Sequence, residues 1–163
     1  MYRVGFGKDI HRLKKGLPLI IGGINIPFDK GLESFTDGDV LLHSLIDAIF
    51  GAIGEKDIGE HFPQYEKYRA TSSSILLKET ANILLRHGYK ISSIDTMISI
   101  EKPCLKEYKG RIKENIASLL NIDKNLIAVK AGTNEGLGEI GKGKAIEAYS
   151  IVLVEEITNG KKS

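Results

Sequence analysis

Residues 36–54 read TDGDVLLHSLIDAIFGAIG, and the fold turns on how that stretch is read. Val40, Leu41, Ile46, Ile49, Phe50 and Ile53 recur at roughly helical spacing, which predicts a helix with one apolar face. Asp37-Gly38-Asp39 opens it and Gly54 stops it, the order of residues that helix termini favour. Upstream, the first 30 residues read as β. Tyr2 to Leu13 is strand-like, and LPLIIGGINIPFD sets two short apolar runs around Gly22-Gly23, a hairpin signal. Downstream, residues 55–70 are polar, contain Pro63 and read as a loop. Ser72-Ser73-Ser74 offers N-caps for a second helix through Arg86, closed by His87-Gly88. A strand from Tyr89 to Glu101 is ended by Pro103. A helix around Gly110 to Leu120 and a strand from Leu126 to Thr133 follow.

The final strand is expected from Ala145 to Ile157, and its Ile151-Val152-Leu153-Val154 run predicts cover on both faces. Helices alternate irregularly with strands. That order predicts an α/β protein of the α+β type: a mixed β-sheet with helices packed on one face, plus an N-terminal β-hairpin. No repeat or linker divides residues 1–158, which are expected to form one domain, with 159–163 as a flexible tail.

Composition narrows the function classes. The chain has 163 residues, 42% hydrophobic and 27% charged, enough for one sizeable core and too ordinary for a disordered or low-complexity chain. Lys plus Arg (23) nearly balances Asp plus Glu (21), a net charge of +2. Such a balance points to neither nucleic acid nor an anionic membrane as partner. One cysteine excludes an internal disulfide or a Cys-rich zinc site. No apolar run approaches the roughly 20 residues that span a bilayer. The N-terminal MYRVGFGKDIHRLKKG lacks the apolar centre of an export signal. A cytoplasmic protein is expected.

Three constellations can carry chemistry. In Asp9-Ile10-His11, strand alternation projects the carboxylate and the imidazole to one side while Ile10 points inward. In Thr36-Asp37-Gly38-Asp39 with His43, Asp39 and His43 lie one turn apart on a helix whose N-terminus attracts anions. Two imidazoles and one carboxylate suit Zn²⁺ with a position left open for a substrate oxygen. Asp39 is placed to orient His43 or to touch a substrate hydroxyl. Either pair alone also reads as an ordinary polar pair, and His61 and His87 carry no such pattern. The third constellation is Thr133-Asn134-Glu135 before a glycine-rich segment that includes Gly136, Gly138 and Gly141. It reads as a flexible connection with donors for phosphate and a carboxylate for Mg²⁺. Gly143 stands where a Walker loop needs Ser or Thr, so that reading fails.

Taken together, GFGKDIHRL, IIGGINIPFDKGL, TDGDVLLHSLIDAIFGAIGEKDIG, Phe62-Pro63, HGYKISSIDTMISIEKP and VKAGTNEGLG with GKGKAI resemble the 2-C-methyl-D-erythritol 2,4-cyclodiphosphate synthase family. The resemblance runs from Arg3 to about Glu155. It implies a homotrimer with sites between subunits, acting on a small-molecule cytidine diphosphate substrate and releasing CMP in non-mevalonate isoprenoid precursor synthesis. By the same resemblance Asp9, His11 and His43 hold Zn²⁺ and Glu135 favours Mg²⁺. Asp57, Ile58, Gly59, Phe62 and Pro63 form the methylerythritol wall. Pro103, Cys104, Leu105 and Lys106 hold cytosine. Thr36, Gly132, Thr133, Asn134 and Lys142 lie along the phosphates, with Thr133 and Thr36 assigned catalytic roles.

Departures from the family pattern are local. Phe35-Thr36 replaces the usual His-Ser, and Cys104 stands where Lys is common. Gly132 and Asn134 replace threonines, and Lys142 replaces Arg, losing a bidentate fork. The three metal-site residues are unaltered. The alternative reading is a catalytically weakened trimer that binds metal and a nucleotide or isoprenoid diphosphate.

Overall fold

The structure, a computed structural model, describes residues 1–158; the tail expected at 159–163 lies outside them. In chain order the elements are β1 (Tyr2–Lys15), β2 (Leu19–Ile21), β3 (Ile24–Ile26), β4 (Lys30–Leu32), α1 (Val40–Ile53), α2 (Ile58–His61), α3 (Ser73–Arg86), β5 (Tyr89–Ser99), α4 (Lys109–Leu120), β6 (Ile127–Gly132), α5 (Gly138–Gly141) and β7 (Ala145–Glu156). Five strands form one mixed sheet in the order β4-β1-β7-β5-β6, and β2 pairs with β3 as a separate hairpin. Among the described residues only β5 and β6 run parallel; the other pairs are antiparallel. The expected α+β arrangement is therefore the observed one. Helix α1 packs across β1 and β7, with α3 beside it and α4 against β6.

Four short elements escape the periodicity. Strand β4 offers only three residues, opposite Leu13–Lys15, too few to show alternation. The polar stretch expected as loop contains the single turn α2 and a 3₁₀ turn at Glu66–Tyr68. The glycine-rich segment is no open connection either. It winds into α5, where a side chain on Gly141 would strike the Gly136 backbone at 2.1 Å.

The β1–β7 register explains how α1 reaches the sheet. Gly5 faces Val152 and Gly7 faces Ser150 across the pair, on the side that α1 covers. A Cβ on Gly5 would lie 1.8 Å from the Ala48 carbonyl oxygen, and one on Gly7 1.9 Å from that of Ser44. Two missing side chains thus let helix backbone rest on strand backbone. Side chains from Val40 to Ile53 bury almost without interruption, and this close seat is why.

Cover on both faces of β7 is not what the fold provides. Val152 and Val154 are fully buried, whereas Ile151 is 48% and Leu153 36% exposed. Helices lie on one side only, so the run alternates. Ile10 was likewise expected inward and instead lies on the uncovered face, 46% exposed. Val4 and Phe6 of β1, opposite Leu153 and Ile151, extend that exposed apolar strip.

Candidate metal centre and active site

Alternation along β1 places Gly5, Gly7, Asp9 and His11 on the helix-covered face. The strand outruns α1 at its far end, so the two polar residues emerge beside the first turn of the helix. His43, one turn into α1, meets them there. Asp9 Oδ2 lies 2.8 Å from His11 Nε2 and 3.0 Å from His43 Nδ1, and the two ring nitrogens are 3.2 Å apart. Ligands at 2.0–2.2 Å around a tetrahedral ion sit about 3.3–3.6 Å from each other. A small outward shift of these three atoms therefore suits a divalent cation, with one position open. Among the described residues they are the one group of three or more His, Cys, Asp or Glu able to meet on an ion.

The charges support each other. Burial works to raise the Asp9 pKa, but hydrogen bonds and charge from His11 and His43 outweigh it and hold the carboxyl below its ordinary value. Burial works to lower that of His43, yet the Asp9 hydrogen bond and the charges of Asp9, Asp39 and Asp37 leave it raised. A ring with a raised pKa keeps its proton to a pH above about 6.5, and a metal must displace that proton. Zinc affinity should therefore rise as the pH climbs through and above about 6.5, as a chelator-competition titration from about pH 6 to 8 would read. Equal affinity at both ends of that range would remove His43 from the ligand set.

The far side of His43 is anchored by Thr36, a residue the sequence singled out, and by Ser73, which the sequence offers only as a helix cap. Its Nε2 lies 2.8 Å from Ser73 Oγ and 3.1 Å from Thr36 Oγ1. The Asp37 carboxylate accepts from the N–H of Ser73 at 2.8 Å and from its hydroxyl. Asp39 does not take the expected role. Its carboxylate is buried and accepts from the N–H groups of Gly22, Gly23 and Leu42 at 2.9, 2.6 and 3.0 Å. It caps α1 and ties the β2–β3 hairpin to it, facing neither the His43 ring nor the cleft. Burial pushes its pKa up to about 6 against the pull of those donors.

On the other flank, Asp57 caps α2 through the Glu60 N–H at 3.0 Å. It lines a cavity with Phe6, Asp47, Phe50 and Glu55. Ile58 donates its N–H to Asp47 Oδ1 at 2.7 Å, which holds the Asp57-Ile58-Gly59 turn against α1. Phe62 is buried between Phe50 and Tyr68, so it supports this wall from behind, and half-buried Pro63 follows it. His61 and His87 both bind the Glu55 carboxylate, at 3.1 Å each.

A second group gathers at the ends of β5 and β6. Pro103, Cys104, Leu105, Lys106, Gly132 and Thr133 line a cavity of about 160 Å³. The Glu101 carboxylate, unforeseen from sequence, accepts the N–H of Asn134 at 2.6 Å and so fixes the Thr133–Glu135 turn. Thr133 Oγ1 donates to Glu135 at 3.3 Å. Lys142, expected at phosphate, lies 3.0 Å from Glu139. The two groups are not adjacent. Asp9 faces Ala148, Ala148 faces Ile98 and Ile98 faces Ala131, three strand spacings or about 14 Å.

A mixed sheet, helices on one face and a two-histidine, one-carboxylate cluster that could hold a divalent ion define a small α+β protein with a candidate metal site. Its relatives narrow the class. The chain belongs to the YgbB family, whose sequence profile matches residues 2–155. It is 44% identical over 156 residues to the 2-C-methyl-D-erythritol 2,4-cyclodiphosphate synthase of Chloroherpeton thalassium, over 95% of this chain and 99% of that one. It is similar in structure to the bifunctional IspDF of Campylobacter jejuni, with a TM-score of 0.92 and 37% identity. That match covers 96% of this chain but only 42% of the longer one. The Plasmodium falciparum IspF CDP complex matches with a TM-score of 0.86 and 34% identity, over 96% of this chain and 97% of that one.

Proposed function

We infer that this chain is a 2-C-methyl-D-erythritol 2,4-cyclodiphosphate synthase, acting in non-mevalonate isoprenoid precursor synthesis. The single observation that carries this reading is the Asp9–His11–His43 cluster, closed to about 3 Å on each side, in a chain of this family. The substrate is 4-diphosphocytidyl-2-C-methyl-D-erythritol 2-phosphate. An oxygen of its 2-phosphate attacks the β-phosphorus. The bond from that phosphorus to the bridging oxygen breaks, and CMP leaves with the electron pair. No protein nucleophile is needed; the barrier is alignment and the repulsion of anions.

A zinc or similar ion held by Asp9, His11 and His43 supplies opposing charge when bound. The chain's own residues do the rest. Thr36 and Thr133 offer hydroxyl donors to phosphate oxygens and Lys142 a cation. Glu135 is an exposed carboxylate held by the Thr133 hydroxyl, the kind of partial ligand that Mg²⁺ accepts when phosphates complete its shell. The turn at Asp57, Ile58 and Gly59, with Pro63, walls the methylerythritol, and the cavity at Pro103–Lys106 takes cytosine.

The roughly 14 Å between the two groups within one chain supports a homotrimer in which a neighbouring copy supplies the nucleotide half of each site. The exposed strip of Val4, Phe6, Ile10, Ile151 and Leu153 offers the apolar surface such an assembly buries.

The test is direct. Incubated with substrate, Zn²⁺ and Mg²⁺, the protein should yield CMP and the cyclic diphosphate, read by phosphorus NMR. Phe35 favours one rival, since its ring gives phosphate no donor and instead carries the Arg69 guanidinium at 4.9 Å. Zinc and CDP binding without any CMP at stoichiometric enzyme would establish that rival, a binding protein.

A further inference from the structure

We propose that Ser73, itself held by Asp37, is a positioning residue that keeps the His43 proton on Nε2 and so turns the bare Nδ1 lone pair toward the metal. The inference rests on the metal-site reading above and adds to it the group that selects the ring's tautomer.

The argument is a proton inventory. A hydroxyl has one hydrogen to give, and an ionised carboxylate can only accept. The Asp37 carboxylate takes the Ser73 N–H at 2.8 Å on one oxygen and the Ser73 hydroxyl on the other. With its single proton committed there, Ser73 Oγ faces His43 Nε2 at 2.8 Å as an acceptor only. His43 must then donate from Nε2. A neutral imidazole with Nε2–H has its lone pair on Nδ1, the atom that faces Asp9 Oδ2 and His11 Nε2 at 3.0 and 3.2 Å. Two of those three atoms are electron-rich in this state, which suits a cation between them and not an empty gap.

Location makes the choice firm. Ser73 is fully buried and His43 nearly so, so water does not compete for Nε2 and the hydrogen bond keeps its strength. Asp37 is steadied in turn by the Asp39 N–H at 3.1 Å. Thr36 Oγ1, at 3.1 Å from the same nitrogen, can turn its own proton to Ser34 Oγ at 3.3 Å, which leaves it free to accept from Nε2 as well. A partner on the second ring nitrogen that fixes the tautomer typically accounts for 10- to 100-fold in metal affinity.

The test uses zinc alone and the intact protein. Ser73→Ala should leave the helical content unchanged and weaken zinc binding about 10- to 100-fold in competition with a chromophoric chelator. In the zinc-loaded wild type, nitrogen–proton NMR should show a slowly exchanging proton on His43 Nε2, and in the variant that proton should exchange fast. Asp37→Asn, which keeps the shape but weakens the acceptor, should shift both readouts the same way by less. Wild-type affinity with an unchanged Nε2 proton in Ser73→Ala would overturn the proposal and leave the metal site standing. Failure of the wild type itself to bind zinc would overturn both.

Discussion

Replacing His43 with alanine should weaken zinc binding by about 10²–10³ and, on the proposed function, stop CMP release. His43 brings one of three protein donors to the ion, through Nδ1 at 3.0 Å from Asp9 Oδ2. Four-ligand zinc peptides gain roughly 10–16 kcal/mol from the metal, so one ligand's share is about 3–4 kcal/mol, or about 10²–10³ in affinity. The scaffold should survive, because α1 keeps its apolar face and both caps. Its stability should fall by no more than about 1–3 kcal/mol, the cost of leaving the Ser73 and Thr36 hydroxyls without their buried partner. Isothermal titration with zinc, run beside a thermal melt, separates the two effects. A His43→Ala protein that still binds zinc as the wild type does would show that the ion, if any, sits elsewhere, and the functional proposal would lose its footing.

The second large effect needs only one methyl group. Gly7→Ala puts a Cβ 1.9 Å from the Ser44 carbonyl oxygen and 2.7 Å from the Ala48 nitrogen, both backbone atoms of α1. Neither can rotate away, so the helix must lift by at least about 1 Å before the contact becomes tolerable. Lifting it stretches the buried Ser44–Ser150 hydroxyl bond, now 2.7 Å. It also carries His43 away from Asp9 and His11. Overpacking plus the strained hydrogen bond should cost about 3 kcal/mol or more, a fall in Tm of roughly 6–12 °C for a chain of this size. Zinc affinity should fall with it. Gly110→Ala is the control. That glycine is the second residue of α4, with nothing within 4 Å of a new Cβ, so the same change there should stabilise by about 0.4–1 kcal/mol, chiefly by restricting the unfolded chain. Equal melting temperatures for the two variants would refute the close seating of α1 on β1.

Sequence patterns reached some of these features and not others for a common reason. Periodicity is a local property, and it located α1, α3, α4 and the long strands because each repeats its pattern over ten or more residues. It missed β4, which spans three. Within a single chain it also misplaced Ile151 and Leu153, because an apolar side chain looks the same whether a helix, a second copy or open surface lies opposite. Ile10 was turned the wrong way on the same ground: alternation says that Asp9 and Ile10 face opposite sides, not which side the helices cover.

The polar partners divide along the same line. Asp9, His11 and His43 are chemically conspicuous, and their residue types with the D-x-H spacing mark the donor set in the sequence itself. Asp39 was read correctly as the helix opener, yet the Gly22 and Gly23 donors on its carboxylate lie 17 and 16 residues upstream. Ser73 looked like one more N-terminal serine among three. Its contact with His43 spans 30 residues, and Glu101 reaches Asn134 across 33. Nothing in the local pattern marks such a pair.

From the chain of residues alone came the class of fold, the family and the three donors of the candidate metal centre, since helix and strand periods, turn glycines and ligand chemistry are written in neighbouring residues. The tertiary structure decided which face of the sheet lies open, how closely α1 rests on Gly5 and Gly7, and which buried hydroxyl holds the far side of His43. Those features arise where segments distant in sequence meet, and packing and hydrogen-bond geometry between such segments exist only once the chain has folded.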